Sequence, residues 1–174
     1  ETKKRVKMPV SDNVKHISVL HVRGDSTIDF EETEAFHPIS DGRECYEDDV
    51  LFSKINPSIP RMCVVPKRPY KTVCSMEFEI LRSSDEHIGP NTLCLMLKSS
   101  IVQAQIRNLT SGTSSSHNRI KTEQLEQILV PCPVSEAAKR KFASLEIKSA
   151  AVFRQKYSSD QALRENLSVL ESIR

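Results

Sequence analysis

The C-terminal segment places the tightest limit on the fold of this chain. No glycine or proline occurs in the 41 residues that follow Pro133, and Ser135 with Glu136 is a typical helix start. A helix over 135–173 would be about 58 Å long at about 1.5 Å per residue. Such a helix cannot bury an apolar stripe by itself, so the sequence predicts that it pairs with a partner helix.

The apolar residues of this segment repeat with the period of a coiled coil. The a and d positions of one heptad frame carry Phe142, Leu145, Val152, Leu163, Leu170 and Ile173. The same positions also carry four polar residues, Ser149, Lys156, Ser159 and Asn166. The repeat stays in phase across them, which favours one continuous helix paired through this seam. The alternative is a hairpin, with a break near Ser158–Asp160.

The residues before Pro133 have the short apolar runs and turn residues of a β-rich domain. Residues 1–15 are polar and predict a frayed end, and the acidic residues 31–48 predict a loop. Apolar runs and alternation predict strands at 17–22, 28–30, 50–55, 62–65, 72–82 and 128–130, and helices at 93–109 and 122–127. The predicted fold class is α+β: a small mixed or antiparallel β-rich domain over 1–133, then a long helical spacer or dimerisation segment over 134–174.

The small net charge of +2 conceals a strong segregation of charge along the chain. Ten acidic residues and one arginine lie between Asp25 and Asp49. Residues 50–71 then carry five cations and no acid, and residues 98–121 carry four cations and no acid. A nearly neutral protein with segregated cations can present a basic face to a polyanion. The alternative is that each run is a solvated loop.

The sequence offers no catalytic or cofactor motif. It has four glycines and no Gly-x-Gly, so the glycine-rich loop of a SAM-dependent methyltransferase is absent, as is a Walker A sequence. The Glu146-Ile147-Lys148 triplet has nuclease-like spacing without an upstream acid on a strand, and we interpret it as chance. Five cysteines without metal-ligand spacing predict buried, reduced thiols in a cytosol. We therefore expect a non-enzyme without cofactor or metal.

A glycine-led polar run, residues 111–120, is the most informative local feature. Short polar side chains followed by Asn118 and Arg119 are of the types that reach phosphates and base edges. Together with the acid-free run 50–71, it predicts a DNA-binding face. Its predicted members are Lys54, Asn56, Arg61, Lys67, Arg68, Lys71, Thr113, Ser114, Ser115, Ser116, His117, Asn118 and Arg119.

Five segments, in this order, resemble the target-recognition domain of the DNA specificity subunits of type I restriction–modification enzymes. The same module is fused to some adenine methyltransferases. The segments are an opening strand pair at 17–30, the strand and loop Asp49–Pro57, the strand Cys74–Leu81, the polar turn Gly112–Ile120, and the exit Leu125–Pro133 before a long helix.

This resemblance implies that the chain reads one half of a split target in double-stranded DNA while other subunits or domains methylate and cut. The implied partners are DNA, a methyltransferase subunit or fused domain, and a second copy bound through the C-terminal helix, in the cytoplasm and away from membranes. A whole specificity subunit has two recognition domains and two long helices, so the chain is interpreted as a half-subunit or an excised domain. A helix-mediated scaffold with no DNA role and a metal-independent hydrolase are the alternatives.

Overall fold

The computed structural model describes residues 1–10, 14–110 and 118–173. It confirms the α+β fold class with a long C-terminal helix. The elements are β1 (Lys7–Met8), β2 (Val14–Ile17), α1 (Phe30–Ala35), β3 (Gly42–Cys45), β4 (Val50–Ser53), β5 (Met62–Val64), β6 (Lys71–Ser75), β7 (Phe78–Leu81), α2 (Pro90–Lys98), α3 (Ser100–Leu109), α4 (Thr122–Leu125) and α5 (Glu136–Glu171), with a short 3₁₀ turn at Val19–His21.

Two small sheets form the domain. One has the strand order β1-β3-β6-β2 and the other β5-β4-β7, and every pairing is antiparallel except β2 with β6. Strand β4 is buried on both of its faces. Val50 and Phe52 belong to a core shared with α2, α3 and α4, whereas Leu51 packs into a second core with residues of the larger sheet. This explains why the run Val50–Phe52 is continuously apolar rather than alternating.

The prediction of one strand over 72–82 is wrong. Strand β6 ends at Ser75 in the larger sheet, and β7 begins at Phe78 in the smaller one. Met76 lies in the turn between them and is exposed. The alternation of apolar and polar residues continues through the turn because both strands bury one face in the same core, where Cys74 and Phe78 both lie. Pattern alone could not detect the change of sheet.

Local capping overrides two more predicted strands. The first strand ends at Ile17 because Ser18 caps the 3₁₀ turn, its side chain accepting a hydrogen bond from the Leu20 amide. The predicted strand at 28–30 is wrong: Asp29 caps α1 by accepting from the Glu32 amide. The predicted loop at 31–48 is also corrected, because it contains α1 and β3.

The structure also corrects two predicted helices and one predicted strand. The helix predicted over 93–109 is divided at Ser99, whose extended backbone ends α2 and begins α3. The Ser99 hydroxyl donates to the carbonyl of Met96, which satisfies one of the last acceptors of α2. Residues 128–130 are not a strand, and the short helix α4 ends at Leu125.

The N-terminal residues are ordered against both sheets, so the frayed end predicted for 1–15 is wrong for its described part. Thr2 bridges to Leu81 at the edge of β7, and β1 pairs with β3. Between these contacts, the Arg5 guanidinium donates to the Asp49 carboxylate at 2.9 and 3.2 Å. The segment therefore connects the edges of the two sheets.

Helix α5 is continuous from Glu136 to Glu171, which confirms the long form over the hairpin. The face that packs on the domain carries Phe142, Glu146, Ser149 and Tyr157. The predicted seam lies mostly on the neighbouring face, where Leu145, Val152, Leu163, Leu170 and Ile173 are exposed. Its pairing with another helix therefore stays a prediction.

An ionic cluster fixes the middle of α5 to the segment before α1. Arg23 bridges Asp29 and Asp160, and Arg164 donates to Asp29 at 3.2 Å and to Glu31 at 3.0 Å. Burial opposes the ionisation of Asp29, but its hydrogen bonds from Arg23 and the Glu32 amide outweigh burial and lower its pKa. Next to this cluster, the hydroxyl of the partly buried Tyr157 accepts a hydrogen bond from the Ile28 amide at 3.0 Å.

Glu146 gives α5 a second attachment point, at the start of α2. Its carboxylate accepts hydrogen bonds from the amides of Asn91, at 3.2 Å, and Thr92, at 2.7 Å. These amides belong to the first turn of α2 and have no partner within the helix. A Cβ atom at Gly89 would lie 2.3 Å from the Glu146 Cδ atom, so the absence of a side chain there permits the contact. Glu146 of the triplet Glu146-Ile147-Lys148 therefore has a structural role, whereas Ile147 and Lys148 are exposed.

We predict that Glu146→Ala and Gly89→Ala each lower the free energy of unfolding by about 1–2 kcal/mol, because each removes the carboxylate from the α2 amides. The double variant should lose clearly less than the sum, since the added methyl group no longer meets a glutamate. Urea denaturation of the four proteins measures this coupling. Glu165→Ala, an exposed glutamate of the same helix, is the control and should change stability by less than about 0.5 kcal/mol. Strict additivity would contradict the proposed contact.

Candidate nucleic-acid interface

The end of the polar run is bound to the end of β4. Ile55 and Arg119 form an antiparallel bridge, the Asn56 amide donates to the Asn118 carbonyl at 2.8 Å, and the Ile120 amide donates to the Lys54 carbonyl at 3.1 Å. Ile120 is buried in the core beneath. We call residues 54–56 and 118–120 the ribbon. It brings members of two predicted basic runs side by side.

A tight turn leads from the ribbon into β5. Asn56 has a positive φ of 45°, a conformation that asparagine tolerates better than most residues. The Ile59 amide closes the turn on the Asn56 carbonyl at 2.8 Å, and the Ser53 amide donates to the Arg61 carbonyl at 3.0 Å. Arg61 is thereby placed beside the ribbon. No ion pair of Arg61 is found within 1–10, 14–110 and 118–173.

Two carboxylates hold the cations of the ribbon. Arg119 uses both terminal nitrogens on Glu77, one of them at 3.1 Å from Oε1. Lys54 lies 3.3 Å from Glu79, whose nearly buried carboxylate also accepts from Arg43 at 3.4 Å and from the Thr122 hydroxyl at 2.8 Å. The Lys54 ammonium is therefore drawn toward the domain, whereas the Arg119 side chain stays 56% exposed.

The remaining predicted cations lie at the other end of the sheet. The β4–β5 ladder extends from Ser53 opposite Arg61 to Asp49 opposite Val65, five residues that span about 13 Å of strand. Beyond Val65, Lys67 and Arg68 lie in the connection to β6, and Lys71 is the first residue of β6. The structure therefore separates the predicted basic face into two groups.

Within the group at the far end of β4, two cations are exposed and the third is held by an aromatic ring. Lys67 and Lys71 are exposed. Arg68 is engaged, because its guanidinium carbon lies 3.3 Å from the centre of the Phe30 ring, a cation–π contact. Arg68 also lines a groove of about 990 Å³ that faces Tyr157 and Arg164 on α5. The predicted residues Thr113, Ser114, Ser115, Ser116 and His117 lie outside the described residues.

Sequence reasoning missed Glu77, Glu79 and Arg43 as parts of this surface. The two glutamates alternate with apolar residues and therefore resemble the solvent side of an ordinary strand. Their partners are far away in sequence: Arg119 is 42 residues from Glu77, and Thr122 is 43 residues from Glu79. An acidic pair on a strand between two acid-free basic runs is the only sequence signal.

Four of the five cysteines are buried, as the sequence predicted, whereas the prediction is wrong for Cys132, which is exposed. Burial raises the pKa of Cys63 and raises the pKa of Cys94 to about 11, so both thiols stay protonated at neutral pH. Among the residues that the structure describes, no group of three His, Cys, Asp or Glu could hold a metal ion. No helix in the described part of the chain is long and apolar enough to cross a membrane.

Comparison with known proteins identifies the fold. No family model and no curated protein matches the chain. The chain is similar to the HsdS subunit from Thermoanaerobacter tengcongensis, with 17% identity and a TM-score of 0.56 over 89% of this chain and 40% of that one. It is also similar to a chain from a structure that describes complex assembly and conformational transition of the type I R-M system, with 18% identity and a TM-score of 0.61 over 87% and 39%. The chain thus spans about two fifths of these structures and shares the fold of that part of them, which agrees with the family resemblance seen in the sequence.

Proposed function

We propose that this chain is a DNA target-recognition module that reads one half of a split double-stranded site for methyltransferase and nuclease partners and does no chemistry itself. The observation that carries the proposal is the bridge between Ile55 and Arg119. It joins two sequence-distant polar segments into one surface on a domain with the fold of a type I specificity subunit.

The side chains of the ribbon suit different parts of a duplex. An arginine can donate two hydrogen bonds to guanine and an asparagine can pair with adenine, so Arg119 and Asn118 are the proposed base readers. Asn56 is a proposed DNA contact beside them. Lys54 and Arg61 are the proposed phosphate contacts, which position a protein without reading sequence. Residues 113–117, which directly precede Asn118 in the sequence, are proposed as further DNA contacts. Lys67, Arg68 and Lys71 form a second, separate contact in this proposal.

The C-terminal segment 134–174 is proposed to bind a helix of a second copy or of another subunit. Its seam exposes Leu163 by 60% and Leu170 by 63%, which leaves apolar surface in water unless a partner covers it. A helix-mediated scaffold without a DNA role shares this observation. Salt-dependent DNA binding separates the two functions.

We predict that the chain binds duplex DNA with an affinity that falls steeply with salt, and that site selection from a randomised duplex yields a preferred sequence. Arg61→Ala should weaken binding to all duplexes alike and reduce the slope of log affinity against log salt by about 0.9, because one phosphate contact is lost. Arg119→Ala should weaken the preference itself. Titrations at two salt concentrations measure both effects.

Arg154→Ala, an exposed arginine of α5, is the matched control and should leave affinity and slope unchanged. Lys67→Ala with Lys71→Ala tests the second group in the same assay, where unchanged affinity and slope would remove that group from the interface. A wild-type chain that binds no duplex would reject the DNA role and favour the scaffold.

We predict that Asn56→Gly keeps the stability of the fold but weakens binding to the preferred duplex, because glycine accepts the positive φ and lacks the amide side chain. Asn56→Ala should cost about 1 kcal/mol of stability, since alanine is strained at this φ. Thermal unfolding and duplex titration of the two variants separate these effects. Full affinity in Asn56→Gly would exclude a side-chain contact with DNA.

We predict that the chain self-associates through the exposed seam of α5 and that Leu163→Glu with Leu170→Glu abolishes this, because two carboxylates would be buried in an apolar interface. Gln161→Glu with Ser168→Glu adds the same charge on the opposite side of the helix and should leave association unchanged. Analytical ultracentrifugation gives the mass of each protein. A wild-type chain that is monomeric at all concentrations would exclude a second copy as the helix partner.

A further inference from the structure

We infer that Glu77 is a positioning residue for DNA reading: it holds the Arg119 guanidinium at the ribbon and directs it toward bases rather than phosphates. The inference rests on the proposed function and adds a specificity-determining carboxylate to it. It starts from an unusual juxtaposition, because a surface that faces a polyanion would bind more tightly without an exposed acid in its middle.

Glu77 is attached to the ribbon through its main chain as well as its side chain. The Lys54 amide donates to the Glu77 carbonyl at 2.9 Å, and the Glu77 amide donates to the Ser75 hydroxyl at 3.3 Å. The turn between β6 and β7 is thereby fixed to the end of β4. From this turn, the Glu77 carboxylate holds the Arg119 guanidinium in a fixed position relative to Asn56 and Asn118.

The two-point contact restricts the guanidinium but leaves donors for a ligand. Glu77 accepts one hydrogen bond from each terminal nitrogen of Arg119. A guanidinium has five N–H donors, so three stay available for a base edge. Fixing the plane of the group in advance reduces the ordering needed on binding, which is the condition for a bidentate contact to discriminate between bases.

Stability of the fold does not account for this pair. The side chains of Arg119 and Glu77 are 56% and 34% exposed, and an ion pair in such a setting contributes little to folding. Glu79, two residues on, differs: its side chain is 6% exposed and is bound by Lys54, Arg43 and Thr122, as expected of a structural carboxylate. The pair of Arg119 and Glu77 is therefore the one that a bound ligand can contact.

If Glu77 has this role, its removal should change the affinities for unrelated and for preferred duplexes in opposite directions. Without the carboxylate, Arg119 is free to bind the nearest phosphate, so affinity for unrelated duplexes should rise. The same freedom should weaken the contact with the preferred base. The ratio of the two affinities is the quantity that Glu77 controls, and neither a purely structural nor a purely electrostatic role changes it in this way.

The test measures the affinity of the full chain for its selected duplex and for a scrambled duplex of the same length, at two salt concentrations. Glu77→Gln should raise scrambled-duplex affinity about twofold to threefold and reduce the specificity ratio about tenfold. Glu77→Asp, which keeps the charge, should recover part of the ratio. In an Arg119→Ala background, Glu77→Gln should leave the ratio unchanged, because the group that it positions is gone.

Glu31→Gln is the matched control, since it removes an arginine-bound carboxylate at α1, where Arg164 is the partner, and should leave the ratio unchanged. A Glu77→Gln variant with an unaltered ratio overturns the inference, as does a parallel loss of both affinities with a lower melting temperature. The proposed function fails separately, in the wild-type measurement, if no duplex is preferred over the scrambled one.

Discussion

A buried carboxylate at the start of β4 joins the parts of this fold. Asp49 is fully buried and accepts hydrogen bonds from Arg5, Arg82 and the Tyr46 amide. Each donor comes from a different element: the N-terminal segment, the residue after β7, and the turn after β3. A buried carboxylate is costly unless it is paired and hydrogen-bonded, so removing either arginine would leave its charge less compensated. The carboxylate thereby attaches the start of β4, whose far end carries the ribbon, to three other parts of the chain.

The sequence predicted the elements whose signal is local. Strand β4 was predicted from a short apolar run closed by Pro57, and α5 from its lack of glycine and proline and its heptad phase. The strand at 72–82 was wrong because one apolar alternation served two strands in different sheets. The strand at 28–30 was wrong because the Asp29 side chain caps a helix, and a cap competes with extended pairing at the level of single hydrogen bonds.

In the candidate site too, the sequence revealed local features but not those that depend on contacts between distant residues. The acid-free runs could be found from sequence, because charge segregation is a property of composition, and the structure brings Lys54, Asn56 and Arg119 of these runs together at the ribbon. Strand register and direction then decided that Lys67 and Lys71 lie at the opposite end of β4, and register depends on long-range packing. The carboxylates Glu77 and Glu79 could not be found from sequence, since their partners lie 42 and 43 residues away.

The polar run begins and ends at positions that the core fixes. Before it, the Thr110 amide and hydroxyl both bind the carbonyl of the buried Ile106; after it, Ile120 is buried beneath the ribbon. Residues 111–117 therefore connect two positions that the core holds. Under the proposed function, a domain of this kind could exchange that segment for another, which would make new target sequences accessible by small substitutions rather than by a new fold.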